Sequence, residues 1–146
     1  MNINSCIQQA KTMGFIPVPI VKNSLDALSL DANWRHTTLD TCDAAFAKYG
    51  YKCDVGIVTG NNTGIMVVEV LESLSVNTFV AMNTTGMMQY VFMLKENTKV
   101  MAFDGIDIRV HNGGVVEFTG EIVNETPMID IPSNVLHTIQ QQRRAD

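Results

Sequence analysis

Residues Val55 to Glu72 read Val-Gly-Ile-Val-Thr-Gly-Asn-Asn-Thr-Gly-Ile-Met-Val-Val-Glu-Val-Leu-Glu, and the rest of the chain is organised around them. Two β-branched runs flank Gly60-Asn61-Asn62-Thr63-Gly64, and Gly and Asn accept the positive φ of tight turns, so the pattern predicts two strands joined as a hairpin. Side chains alternate faces along a strand, so Ile65, Val67, Glu69 and Leu71 share one face, while Met66, Val68, Val70 and Glu72 share the other. Glu69 therefore interrupts an apolar row. A buried carboxylate is costly unless it is paired, hydrogen-bonded, metal-bound or at an open rim, so this position demands an explanation.

The 146 residues suit one domain spanning 1–146, long enough to bury a core without staples. Hydrophobic content of 46% against 17% charged residues excludes a disordered chain, and no apolar run approaches the roughly 20 residues that cross a bilayer. Met1 to Ala10 lacks the basic-then-apolar pattern of a signal peptide, which predicts a cytoplasmic, virion or host-cell-associated protein with no membrane contact. Cys6, Cys42 and Cys53 are widely spaced and read as buried reduced thiols. The net charge of −5, with only ten basic residues, argues for weak or no binding of nucleic acid by the chain alone, because phosphate neutralisation by Lys and Arg supplies most non-specific affinity.

Ile3, Ile7, Ala10 and Met13 recur at helical spacing after the capping candidates Asn2 and Ser5, and Gly14 ends that helix. Phe15 to Ile20 contains Pro17 and Pro19, which donate no ladder hydrogen bonds, so it reads as an edge strand. Thr37 with Asp40 resembles a capping pair for a second helix, whose face is Leu39, Cys42, Phe46 and Tyr49 and whose end is Gly50. Strands are predicted over Thr78–Met82 and Met87–Leu94, a turn over Lys95–Lys99, and a C-terminal helix from Ile129-Asp130-Ile131-Pro132 onward with Val135, Leu136 and Ile139 as its stripe. Arg143-Arg144 complement the negative end of its dipole.

Three segments together resemble the bifunctional primase/polymerase (prim-pol) domains of the archaeo-eukaryotic primase superfamily, found in viruses, plasmids and mobile elements. The first is Val-Gly-Ile-Val-Thr-Gly followed by Gly-Ile-Met-Val-Val-Glu-Val, where the family has a Thr-Gly turn and a strand ending in Asp-x-Asp; Glu69 and Leu71 stand at the two acidic positions. The second is Thr85-Gly86 with Phe92, where the family has Ser/Thr-Gly-Gly-x-His-x-x-Phe; Met87 replaces the second Gly and Gln89 the His. The third, Gly105-Ile106-Asp107-Ile108-Arg109 with Gly113-Gly114-Val115-Val116, matches most cleanly. Gly14 to Pro19, Lys22, Trp34 and Thr37-Thr38 also follow the family's order.

The resemblance implies an α+β (α/β) fold with an RRM-like, mainly antiparallel sheet, N-terminal helices packed against it and a C-terminal helix closing one side. It also implies a nucleotidyl-transfer site at the positions of Glu69, Asp107 and Gln89, with Thr85, Gly86 and Arg109 at the nucleotide. Two divalent cations about 3.5–4 Å apart need several oxygen ligands on one face. Glu69 and Asp107 remain as metal ligands, joined by Glu72 only if a β-bulge re-aims it; Leu71 has no ligating atom and Gln89 carries no charge. The expectation is thus a catalytically degenerate prim-pol-like domain, an inactive enzyme that needs no cofactor and acts through protein partners, as a DNA-replication accessory or an exapted structural component. Two alternatives stay open: an active primase/polymerase using Mg²⁺ or Mn²⁺, and a module binding nucleotide or single-stranded nucleic acid with Tyr90 and Phe92 as stacking platforms. A plainly structural explanation of Glu69 and Asp107 also stands, in which Arg109 or backbone amides neutralise them.

Overall fold

A computed structural model describes residues 2–95 and 99–145. Helix α1 (Ile3–Thr12) is capped by the Asn2 side chain, which accepts from Ser5 N at 2.8 Å. Strand β1 (Pro17–Ile20) follows, then a long loop with one 3-10 turn (Trp34–His36), and helix α2 (Cys42–Lys48). Eight further strands come next: β2 (Asp54–Val58), β3 (Ile65–Val70), β4 (Phe79–Met82), β5 (Met88–Met93), β6 (Phe103–Asp104), β7 (Ile108–His111), β8 (Val115–Glu117) and β9 (Glu121–Asn124). A short β10 (Ile129–Asp130) leads into helix α3 (Ser133–Ala145).

These elements form an α+β fold with two sheets. The smaller has the order β1-β2-β8, and the larger runs β6-β7-β3-β5-β4-β9 with β10 beside β5. Every pairing is antiparallel except β10 with β5. As the prolines require, β1 is an edge strand, with β2 as its one strand partner among the described residues and a single bridge from Ile20 to Ser29 on its other side.

The expected hairpin of β2 and β3 does not form. The two strands belong to different sheets and touch through a single bridge, Gly60 to Ile65. The physical reason lies in their composition: nearly every residue of both strands is buried on both faces, so each takes partners on either side instead of pairing with its neighbour in sequence. The connection winds tightly, with Thr63 N and Gly64 N both donating to Gly60 O, and turns the chain from one sheet to the other.

Strand β3 then separates two cores. Ile65 and Val67 pack with Ile7, Ala10, Phe15, Phe46 and Phe79 on the side of α1 and α2. Met66, Val68 and Val70 pack with Phe92, Val110, Val135 and Ile139 on the side of α3. Phe15 meets Phe79 and Phe118 edge-on, at centroid distances of 5.4 and 5.9 Å. The three cysteines are buried free thiols, as read from their spacing. Burial pushes the Cys6 thiol up to about 11, helped by the negative charge of Asp54.

Helix boundaries differ from the pattern in two places. Thr38 N bonds to the Thr41 hydroxyl at 2.9 Å, which holds 38–41 in a turn, so α2 starts at Cys42 and Leu39 is left exposed. Ile129 and Asp130 pair in parallel with Phe92 and Met93. Only after Pro132, whose carbonyl accepts from Val135 N and Leu136 N, does α3 begin. Strand β9 lay in a segment given no element, because its residues are only half-buried along an edge. The predicted turn at Lys95–Lys99 lies largely outside the described residues.

The sheet-to-sheet crossing rests on one close approach. Thr59 donates N–H and hydroxyl to Gly114 O at 2.8 and 2.9 Å, and its hydroxyl accepts from Gly113 N and Gly114 N. A Cβ on Gly60, at φ +114°, would lie 2.8 Å from Gly113 Cα and 2.9 Å from its N. Backbone cannot yield as a flexible side chain can. Gly60→Ala is therefore expected to lower stability by about 3 kcal/mol, against about 1 kcal/mol for Gly64→Ala, which has positive φ but open space. Urea midpoints of the two variants check the difference.

Candidate functional site

Strand register brings the polar residues of four strands into one row. Glu69 lies opposite Gln89 on β5 and opposite Arg109 on β7, and Arg109 lies opposite Asp104 on β6. Directly paired residues share a face, so this row runs across the larger sheet on the α1 side. His111, two residues beyond Arg109, occupies the next row opposite Val67. Here the first core ends, and a cleft of about 600 Å³ opens between the two sheets, with β8 and the loop after β1 as its other wall.

Glu69 is 3% exposed, and its carboxylate is held from three directions. Oε1 meets His111 Nε2 at 2.5 Å, while Oε2 accepts from Gln89 Nε2 at 2.9 Å and Asn83 Nδ2 at 2.8 Å. The network reaches the second sheet, because Gln89 Nε2 also donates to Glu117 O at 2.7 Å. Asn83 is itself fixed, its Oδ1 accepting from Thr85 N, the Thr85 hydroxyl and Met87 N. Glu117 turns its carboxylate away to Thr84, taking both N–H and hydroxyl at 2.8 Å.

Burial by itself would drive the Glu69 carboxyl up. The His111 bond and charge, then the Gln89 and Asn83 amides, outweigh it and hold the group below the usual carboxylate range. A hydrogen bond to a charged acceptor contributes about 1.5–3 kcal/mol, so three of them offset a desolvation cost of several kcal/mol. Glu69 is thereby an ionised group in an apolar layer with its needs met internally.

The sequence-derived site residues divide between two places. Glu69, Gln89, Thr85 and Arg109 lie around the cleft, whereas Asp107 and Glu72 line a separate hollow of about 430 Å³ with Ser73, Asn134 and Thr138. Leu71 is 57% exposed at the end of β3, and its N–H donates to Asp107 O. Glu72 is not re-aimed towards Glu69, since β3 and its partners keep an unbroken register from Ile65 to Val70. Arg109 does not neutralise Glu69; its Nε lies 3.3 Å from Asp104. Tyr90 and Phe92 are buried, Tyr90 accepting from Leu74 N at 3.0 Å, so neither is a stacking platform.

The family's metal does not fit this donor set. Glu69 Oε2 faces the N–H groups of Gln89 and Asn83, which cannot ligate, its Oε1 is taken by His111 Nε2, and Leu71 supplies no oxygen where the second acid belongs. Among the described residues, no three His, Cys, Asp or Glu side chains converge as a metal site. His111 and Asn83 were not singled out from sequence. Alternation from Asp107 through Arg109 places His111 on the same face, a signal that was present; Asn83 looked like an ordinary turn residue. No protein-family model matches the chain, and no curated protein matches it.

Acid should expose the cost of this arrangement. A carboxyl whose folded pKa is depressed contributes stability that is fully present above its unfolded value, near 4.3, and is lost as pH falls through the folded value. Urea midpoints of the natural chain should decline below about pH 4.5, and Glu69→Gln should flatten that decline. Glu69→Ala, which leaves buried donors unpaired, should cost about 3–5 kcal/mol at pH 7.

Proposed function

We propose that this chain is a prim-pol-like domain whose carboxylate site has passed from metal ligation to internal hydrogen bonding, and that it works through protein contacts. The role is that of an accessory to a viral or mobile-element replication complex, or of a structural component derived from one. One observation carries the loss of chemistry: Glu69 is saturated by three N–H donors while Leu71 stands in solvent at the place of the second acid. An attacking hydroxyl and a triphosphate would find one carboxylate, already engaged.

The resemblance itself gains support from strand order. The segments resembling the three motifs are far apart in sequence, yet β3 lies between β7 and β5, so all three are neighbours. Thr59-Gly60 of the first also packs on Gly113-Gly114 of the third. These placements favour a common scaffold over coincidental short matches. Exposed Leu71, bonded through its N–H to Asp107 O, and exposed Ile106, next in sequence to Asp107, suit a surface that meets protein, because large apolar side chains in water gain from being covered.

Thermal unfolding with Mn²⁺ and a deoxynucleoside triphosphate separates this reading from an active polymerase or a nucleotide-binding module. The natural chain is expected to show no shift. A ligand bound at a hundredfold excess over its dissociation constant would add about 2.7 kcal/mol, a shift that is easily seen. A clear shift in the natural chain would sink the inactive reading and make primer synthesis the next assay.

A further inference from the structure

The cleft has a rim that the polar network does not use. Between β1 and a bridge pairing Ile20 with Ser29, residues 21–28 form a compact loop. Its ends are tied by Val21 N to Leu28 O at 2.7 Å, its middle by Ser24 N to Val21 O and Leu28 N to the Ser24 hydroxyl, and its flank by Asn23 N to the Asp54 carboxylate. Asn23 and Ala27 are held at φ of 61° and 50°, a left-handed conformation that costs a non-glycine residue about 1–2 kcal/mol. The loop is thus braced in one shape, and that shape turns leucines outward. Leu25 is 65% exposed and Leu28 60% exposed, on either side of exposed Asp26 and buried Ala27.

Leu25 and Asp26 line the cleft together with Phe103 and Asp104 of β6, and Leu25, Asp26 and Asp104 are exposed and so form its rim. Four carboxylates line the whole cleft against one guanidinium, and the two at the floor and far wall, Glu69 and Glu117, are consumed by internal bonds. Of the two at the rim, Asp104, whose side chain is 88% exposed, is in a single exposed ion pair through one oxygen to Arg109, and Asp26 is in none among the described residues. The rim therefore offers outward negative charge beside outward leucines, on a backbone that needs no ordering to receive a ligand.

We propose that this rim and cleft are the docking site for a basic, amphipathic segment of a partner protein. A Lys or Arg of the segment sits between Asp26 and Asp104, and its apolar neighbours cover Leu25 and Leu28. Charge complementarity selects this occupant over an acidic or a purely apolar one, and over nucleic acid, whose phosphates the same rim repels. The proposal rests on the protein-contact reading given above and names the chemistry of the partner.

Phage-displayed random peptides of about twelve residues, selected on the full chain, test it. Selected sequences should interleave Lys or Arg with large apolar residues. By fluorescence polarisation, their affinity should fall with added salt and weaken at least about tenfold in Leu25→Ser/Asp26→Asn/Asp104→Asn. Leu28→Ser alone gives a second check should the triple variant unfold at a lower temperature than the natural chain. A selection that returns no binder, peptides without basic residues, or equal affinity for natural chain and variants overturns the docking site. Failure here, with the natural chain still silent to Mn²⁺ and nucleotide, removes this surface alone; a nucleotide response removes the parent reading instead.

Discussion

A single buried carboxylate sets the conditions that its neighbours must meet. Glu69 sits on the middle strand of the larger sheet, and an ionised group there is tolerable only while His111, Gln89 and Asn83 all present N–H to it. Those three side chains come from β7, from β5 and from the turn between β4 and β5. Gln89 also grips β8 of the other sheet through Glu117 O. Loss of the charge would therefore loosen the sheet-to-sheet contact as well as leave donors unpaired, and the polar network adds to the first apolar core, which packs Ile57 and Val116 of the smaller sheet on Ile65 and Val67 of the larger.

The same network fills the floor of the cleft with internal hydrogen bonds and leaves carboxylates exposed at its rim. Lone pairs on Glu69 that would meet a cation meet amide hydrogens, and the Glu117 carboxylate is turned to Thr84 on the far side of the wall. Asp26 is left without an ion pair among the described residues, and Asp104 is left largely in solvent with one oxygen on Arg109.

One glycine pair holds the crossing between the sheets in place. Gly60 and Gly113 approach so closely that neither sheet can slide past the other, and the Thr59 hydroxyl laces the contact from both sides. Position 71, by contrast, lies beyond the last paired residue of β3 and is free to be apolar and exposed.

Much of the local structure was legible in the residues themselves. Proline in β1, Asn2 before α1, and the alternation that puts Ile65, Val67 and Glu69 on one face follow from backbone geometry and short-range bonding, and the α+β class follows from their sum. The need for partners around Glu69 was equally legible, because the cost of burying charge does not depend on the fold. Which groups would answer that need was not. His111, Asn83 and Gln89 lie 42, 14 and 20 residues away, and only the pairing of β3 with β7 and β5 brings them within bonding distance. The break of the β2–β3 hairpin, and the parting of Asp107 from Glu69 into separate hollows, were likewise decided by tertiary structure. Strands buried on both faces have two sides to satisfy, and local sequence does not say with whom.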